Sequence, residues 1–173
     1  MTKQQFITTA IAAAQKCSAN SGLPPGVTVA QAALESAWGE SRLSQKANNY
    51  FGIKALGDSP CIAMPTTEVV AGPGGVATLQ KLTARFARYT SIEECFAARD
   101  RILLSAAVYA EARSHRSEPI AFIHSLAKHW ATDPAYAEKL EQLYLAHGLA
   151  MFDRNSQFSP ISASAKDVAI AAQ

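Results

Sequence analysis

Long hydrophobic runs are missing from this 173-residue chain. None approaches the ~20 apolar residues needed to cross a bilayer, so no membrane insertion is expected. The N-terminal stretch MTKQQFITTAIAAAQKC is broken by Gln4, Gln5, Thr8 and Thr9; it reads as an amphipathic helix and not as the h-region of a secretion signal. Cysteine is scarce. Cys17, Cys61 and Cys95 are too few for a disulfide scaffold and have no metal-site spacing. They read as small buried apolar residues, with one bridge and a leftover thiol open to them in an oxidising compartment. Charge of one sign is also lacking. A net charge of +2 allows weak attraction to an anionic polymer but excludes the dense basic stripe of a nucleic-acid binder. His115, His124, His129 and His147 are scattered, and Ser36 and Ser41 lack a nucleophile-elbow context. No metal, cofactor or internal repeat is implied.

What is present is enough apolar residue, 49% of the chain, to build the core of one domain. Phe6, Ile7, Ala10, Ile11 and Ala14 mark a helix over about 3–18, and SGLPPG breaks it. A second helix is expected from about Thr28 to Trp38 with Gly39 as its stop, and Ser41–Ala47 as a further helical turn. Residues 53–89 change character: MPTTEVV reads as a strand, AGPGG as a turn, and Leu82, Ala84 and Phe86 alternate with polar neighbours as a second strand. Helices resume with a capping box at Ser91 and Glu94, then over about 119–130, then after Asp133-Pro134 up to Gly148. The expected architecture is α+β and mainly helical: a domain over 1–150 with a β-hairpin lobe at about 53–89, and a C-terminal tail over 151–173. A cleft between the helices and the lobe suits an extended polymer.

Two carboxylates are placed to face that cleft. Glu35 falls at the edge of the stripe formed by Ala30, Ala33, Leu34 and Ala37, beside Gln31 and Trp38, where poor solvation raises an acid's pKa. Helix geometry alone favours a solvated flank position for it. Glu68 sits in the expected strand PTTEVV, where an outward-facing residue is the simpler reading. A carboxyl pair flanking a sugar–sugar bond is the equipment for cutting it. Trp38, Tyr50, Phe51, Trp130 and Tyr136 supply faces on which sugars stack.

The blocks AQAALESAWGES, NNYFGIKA, PTTE and WATDPAYAEKL, in that order, resemble the glucosaminidase domains of glycoside hydrolase family 73 over about Thr2 to Gly148. The resemblance implies a lysozyme-like fold with a long cleft, and hydrolysis of the β-1,4 bond after N-acetylglucosamine in peptidoglycan. It implies Glu35 as the catalytic acid and Glu68 as the second carboxylate, which acts as base or nucleophile or orients a substrate acetamido group. Asn49, Tyr50 and Phe51 of the second block, with Trp38, Trp130, Asp133 and Tyr136, are implied as substrate-binding residues; Asp133 is explained equally well as a helix cap. Family members usually read YATD where this chain has WATD, so Trp130 replaces a tyrosine thought to assist catalysis. Indole donates one hydrogen bond but neither accepts one nor acts as an acid. Either Glu68 then carries more of the reaction or Tyr136 reaches the site.

Two other readings stay open: a peptidoglycan-binding module that has lost catalysis, and a phage-type endolysin. The setting favoured by the sequence is an antibacterial effector delivered by a type VI apparatus. It would be made in the cytoplasm, act in a target cell's periplasm and be blocked by a cognate immunity protein.

Overall fold

The computed structural model describes residues 1–71 and 77–154, with the side chains of 67–71 and 77–79 outside that description. Eight α-helices are described, α1 (Lys3–Ser21), α2 (Pro25–Ser36), α3 (Arg42–Ala47), α4 (Ile92–Ser105), α5 (Ala110–Ser114), α6 (Pro119–Trp130), α7 (Tyr136–Ala146) and α8 (Ala150–Arg154), with a 3₁₀ turn at Ala107–Tyr109 and strands β1 (Cys61–Ala71) and β2 (Ala77–Ala87) between α3 and α4. The mainly helical α+β reading holds. No helix among the described residues is long and apolar enough to cross a membrane.

α1 starts at a capping box in which Thr2 accepts from the Gln5 amide and Gln5 returns the bond, and it ends at Gly22 with φ 69°. It runs three residues beyond its expected end and buries Phe6, Ile7, Ala10, Ile11 and Ala14, the apolar face that its spacing predicts. α2 departs further from expectation. Pro25 opens it at the first helical position, where a missing N–H costs nothing. Its residues are buried all round: Val27, Val29, Ala30, Ala32 and Ala33 are within 1% of full burial. α1, α7 and α8 pack against it, so it is a central helix and not one with a single apolar stripe. It also stops at Ser36, before Gly39, and Ala37 lies outside it in the left-handed region.

β1 and β2 pair antiparallel from Cys61↔Ala87 to Ala71↔Ala77. Pro65 is tolerated because each strand of a two-stranded sheet has a free edge. The expected turn at Gly72–Gly75 lies outside the described residues. The base of the lobe is tied to the helical body by amide bonds from Ala87 to Ile53 O (2.9 Å) and Tyr89 to Ala47 O (2.8 Å). Asn49 reinforces it, its Nδ2 donating to Ile53 O and Ala87 O and its Oδ1 accepting from the Phe51 and Ile53 amides.

Smaller differences have local causes. Ser91 caps α4, but Glu94 reaches back to the Thr90 amide and hydroxyl (both 2.7 Å), one residue earlier than a capping box requires. α7 begins at Tyr136, because Asp133 accepts from the Ala135 amide and closes a separate turn over Pro134. The 3₁₀ turn and α5 had no sequence signal. All three cysteines are free, with Cys95 buried.

Where a tail was expected, Ala150–Arg154 continues as α8 against α2; residues 155–173 lie outside the described part. Asp153 accepts from the Gly26 amide (2.7 Å) and the Tyr144 hydroxyl (2.8 Å), placing a carboxylate on the electropositive end of α2. Gly26 is needed there, since a Cβ would run into the Leu149 carbonyl oxygen and lie 2.8 Å from Asp153 Oδ2. Gly26→Ala is expected to destabilise the protein by about 1–3 kcal/mol, the usual cost of overpacking, measured by chemical denaturation.

Candidate active site

Glu35 is the penultimate residue of α2, and the chain leaves the helix abruptly after it. Ala37, Trp38 and Gly39 all have positive φ (51°, 61° and 78°), a conformation costing roughly 1–2 kcal/mol for each residue that carries a Cβ. The Ser36 hydroxyl holds this turn, donating to Ala32 O (2.6 Å) and accepting from the Gly39 amide (2.8 Å). The Trp38 indole is clamped between Phe6 (5.9 Å) and His147 (4.7 Å), with Lys3 Nζ over its face.

The Glu35 carboxyl therefore projects from a fixed stub into a pocket of about 540 Å³ lined by Phe51, Gly52, Ile53, Lys54, Leu56, Ile102, Tyr109, Trp130, Ala131 and Tyr136. Two donors converge on one of its oxygens: Trp130 Nε1 donates to Oε1 at 2.7 Å and the Tyr136 hydroxyl donates to it at 2.5 Å. They come from the end of α6 and the start of α7. The indole is edge-on to Phe51 (6.3 Å) and packs against Tyr109 (6.2 Å).

Burial drives the Glu35 pKa up from 4.5 to about 7, against the opposing pull of the Tyr136 hydroxyl, the nearby Gln31 amide, the Trp130 indole N–H and the Arg99 charge. The Tyr136 phenol is pushed up as well, by burial and by the carboxylate beside it, so it stays a donor. Because an indole N–H can only donate, Oε1 is committed to accepting. In the neutral acid the proton sits on Oε2.

The structure brings together Glu35, Phe51, Trp130 and Tyr136 from the residues singled out in the sequence. Trp38 does not line this pocket. Asn49 is 1% exposed and its hydrogen bonds hold the lobe. Tyr50 packs between Phe6 and Phe96, and Asp133 is paired with Lys139 at 2.6 Å on the surface. Glu68 falls in β1 opposite Gln80. Ile102 and Tyr109 line the pocket with no local signal in the sequence; for Gln31, the four-residue spacing to Glu35 is the available signal. A larger cavity of about 600 Å³, lined by Gly22, Arg116, Ile120 and Leu145, contains none of these groups. Among the described residues no cluster of three His, Cys, Asp or Glu is placed to hold a metal ion.

Residues 11–149 match the glucosaminidase family, described as mannosyl-glycoprotein endo-beta-N-acetylglucosaminidase. The peptidoglycan hydrolase FlgJ of Pseudomonas aeruginosa is 35% identical over 146 residues, 80% of this chain and 35% of that protein. Curated relatives are longer: the chain spans from about a fifth to about half of their length. The catalytic domain of the autolysin Auto from Listeria monocytogenes superposes with a TM-score of 0.76 at 30% identity, covering 87% of this chain and 86% of that one. A chain from a type VI secretion effector–immunity complex of Pseudomonas protegens shares the fold, with a TM-score of 0.56 at 22% identity over 86% of this chain and 94% of that one.

The raised acid has a thermodynamic consequence. Between about pH 4.5 and 7 the folded protein binds a proton at Glu35 that the unfolded chain has released. The group's contribution to stability is therefore full below pH 4.5 and falls as pH rises to 7. Glu35→Gln, which keeps an oxygen for Trp130 and Tyr136, should leave stability nearly unchanged at pH 4 and raise it by about 1–3 kcal/mol at pH 8, as read by urea unfolding at the two pH values.

Proposed function

Since this chain belongs to the glucosaminidase family, glycoside hydrolase family 73, we propose that it hydrolyses the β-1,4 bond after N-acetylglucosamine in peptidoglycan, with Glu35 as the general acid. The observation that carries this reading is the Glu35 carboxyl itself: half-buried, with a pKa near neutrality, and with one oxygen held by two donors from another part of the fold. Oε2 delivers its proton to the glycosidic oxygen as the C–O bond breaks; water adds as hydroxide to the anomeric carbon, and its remaining proton is taken up by the carboxylates of the site, restoring the acid at Glu35. The carboxylate left behind is already hydrogen-bonded by Trp130 and Tyr136, which stabilises the charge as it forms.

Glu68 is the second carboxylate of this proposal, as base, nucleophile or orienting group for the substrate acetamide. Aromatic and apolar pocket residues, Phe51 and Tyr109 among them, offer faces for the sugar rings. The alternative of a module that only binds peptidoglycan drew on Trp130 in place of tyrosine. Trp130 donates to the acid and Tyr136 brings the phenol, an arrangement that favours catalysis.

Purified sacculi test the assignment. Wild-type protein should release reducing ends, and Glu35→Gln should lower the rate by about 10²–10⁴-fold, the range for losing a general acid, while still co-sedimenting with sacculi. Turnover by the Gln variant at the wild-type rate would overturn the role of Glu35; binding by wild type with no new reducing ends would favour the binding module.

For the setting, we propose an antibacterial effector acting in the periplasm of a target cell, its cleft covered by an immunity protein in the producer. The fold shared with a type VI effector–immunity chain is compatible with that reading. Expression in a test bacterium should cause lysis when the chain is directed to the periplasm and none in the cytoplasm, with protection by co-expressing the neighbouring gene product. Lysis without any such protection would favour the endolysin.

A further inference from the structure

Behind the pocket lies a buried charge that the reaction as described does not use. Arg99 of α4 is fully buried, and its guanidinium donates from Nε to Gln31 Oε1 (2.8 Å) and from Nη1 to Thr28 Oγ1 (2.9 Å) and Asp100 Oδ1 (2.9 Å). Asp100 in turn accepts from Ser21 (2.7 Å). Gln31 is fully buried as well, and its Nε2 has no hydrogen-bond partner among the described residues.

We propose that Gln31 is a positioning residue for Glu35: Arg99 grips its carbonyl oxygen, so its amide N–H is held in readiness for the carboxylate that remains once the proton has left. The inference rests on the reading of Glu35 as the acid.

The orientation of the amide follows from donor chemistry. Arg99 Nε–H can only donate, so Oε1 must face it, and a flipped amide would set donor against donor. Nε2 is thereby turned away from Arg99. Gln31 precedes Glu35 by four residues on α2, the spacing that places side chains on one helical face, and it neighbours both the Glu35 carboxyl and the Tyr136 hydroxyl, favouring the ionised form of each. A buried amide without an acceptor loses the hydrogen bond that it would have made to water. That cost is recovered when a full negative charge appears beside it, so the arrangement stabilises the state after proton transfer more than the state before.

Lys54 lines the same pocket, and the titratable groups that act on Glu35 come from elements other than α2. Tyr136 of α7 and Tyr109 of the 3₁₀ turn are raised and neutral, Cys95 of α4 is pushed up to about 12 by burial, and Arg99 remains cationic. A change at Gln31 is therefore read at Glu35 itself.

The test is a ¹³C NMR titration of the Glu35 side-chain carboxyl in the full chain, for wild type, Gln31→Met and Gln31→Glu, alongside the pH dependence of kcat on sacculi. Met removes both the donor and the acceptor for Arg99. Glu keeps the acceptor, and hence the grip of Arg99, while removing the donor and adding a charge. The Glu35 midpoint should rise by about one pH unit in Gln31→Met and further in Gln31→Glu, with the alkaline limb of kcat moving up by the same amount and KM unchanged. Midpoints at the wild-type value in the folded variants, even with a lowered melting temperature, would reduce Gln31 to a structural residue and overturn the inference. Failure of the underlying reading shows separately, as full turnover by Glu35→Gln.

Discussion

Packed round by α1, α7 and α8, α2 has almost no solvated face, and a carboxylic acid at its end must find hydrogen-bond donors in the rest of the chain. The donors come from α6 and α7, and the fold is arranged so that they arrive. Ser36 and the clamped Trp38 stop the helix one residue beyond Glu35, which leaves the acid at a rigid edge. The Asn49 cradle fixes the loop leading to Phe51, and Phe51 and Tyr109 hold the indole that reaches Oε1. Partial burial does the chemical part, raising the acid toward neutrality, while two donors keep one oxygen occupied and leave the other to carry the proton.

Much of this was legible in the sequence, and what was not has physical reasons. The α1 face, the paired strands and α6 follow from periodicity and turn residues, which are local signals. α2 was harder because alanines and valines on every side give no stripe to read. Its true end depends on three successive residues in the left-handed region, two of them non-glycine, which no propensity favours. α8 has no local signal because its support is distant: the bonds of Asp153 to Gly26 and Tyr144.

The site divides along the same line. Helix geometry alone made Glu35 a solvated flank residue, and the ordered blocks around it reversed that. Aromatic content then marked Trp130, Tyr136 and Phe51, which meet at the acid, but equally Trp38 and Tyr50, which face the core. Whether an aromatic ring points to core or cleft is decided by tertiary packing. The placement of Tyr136 is likewise decided in three dimensions, where its phenol reaches the oxygen that the Trp130 indole also holds.

The carboxylate that closes the N-terminus of α2 lies 127 residues further along the chain, and the donors that hold Glu35 lie 95 and 101 residues away. Contacts of such long range are slow to form. On the ribosome, where synthesis proceeds from the N-terminus, α1 and α2 emerge long before Trp130, Tyr136 or Asp153 exist. A nascent or truncated chain has the acid without its donors, so the hydrogen-bonded carboxyl is assembled among the last events of biosynthesis.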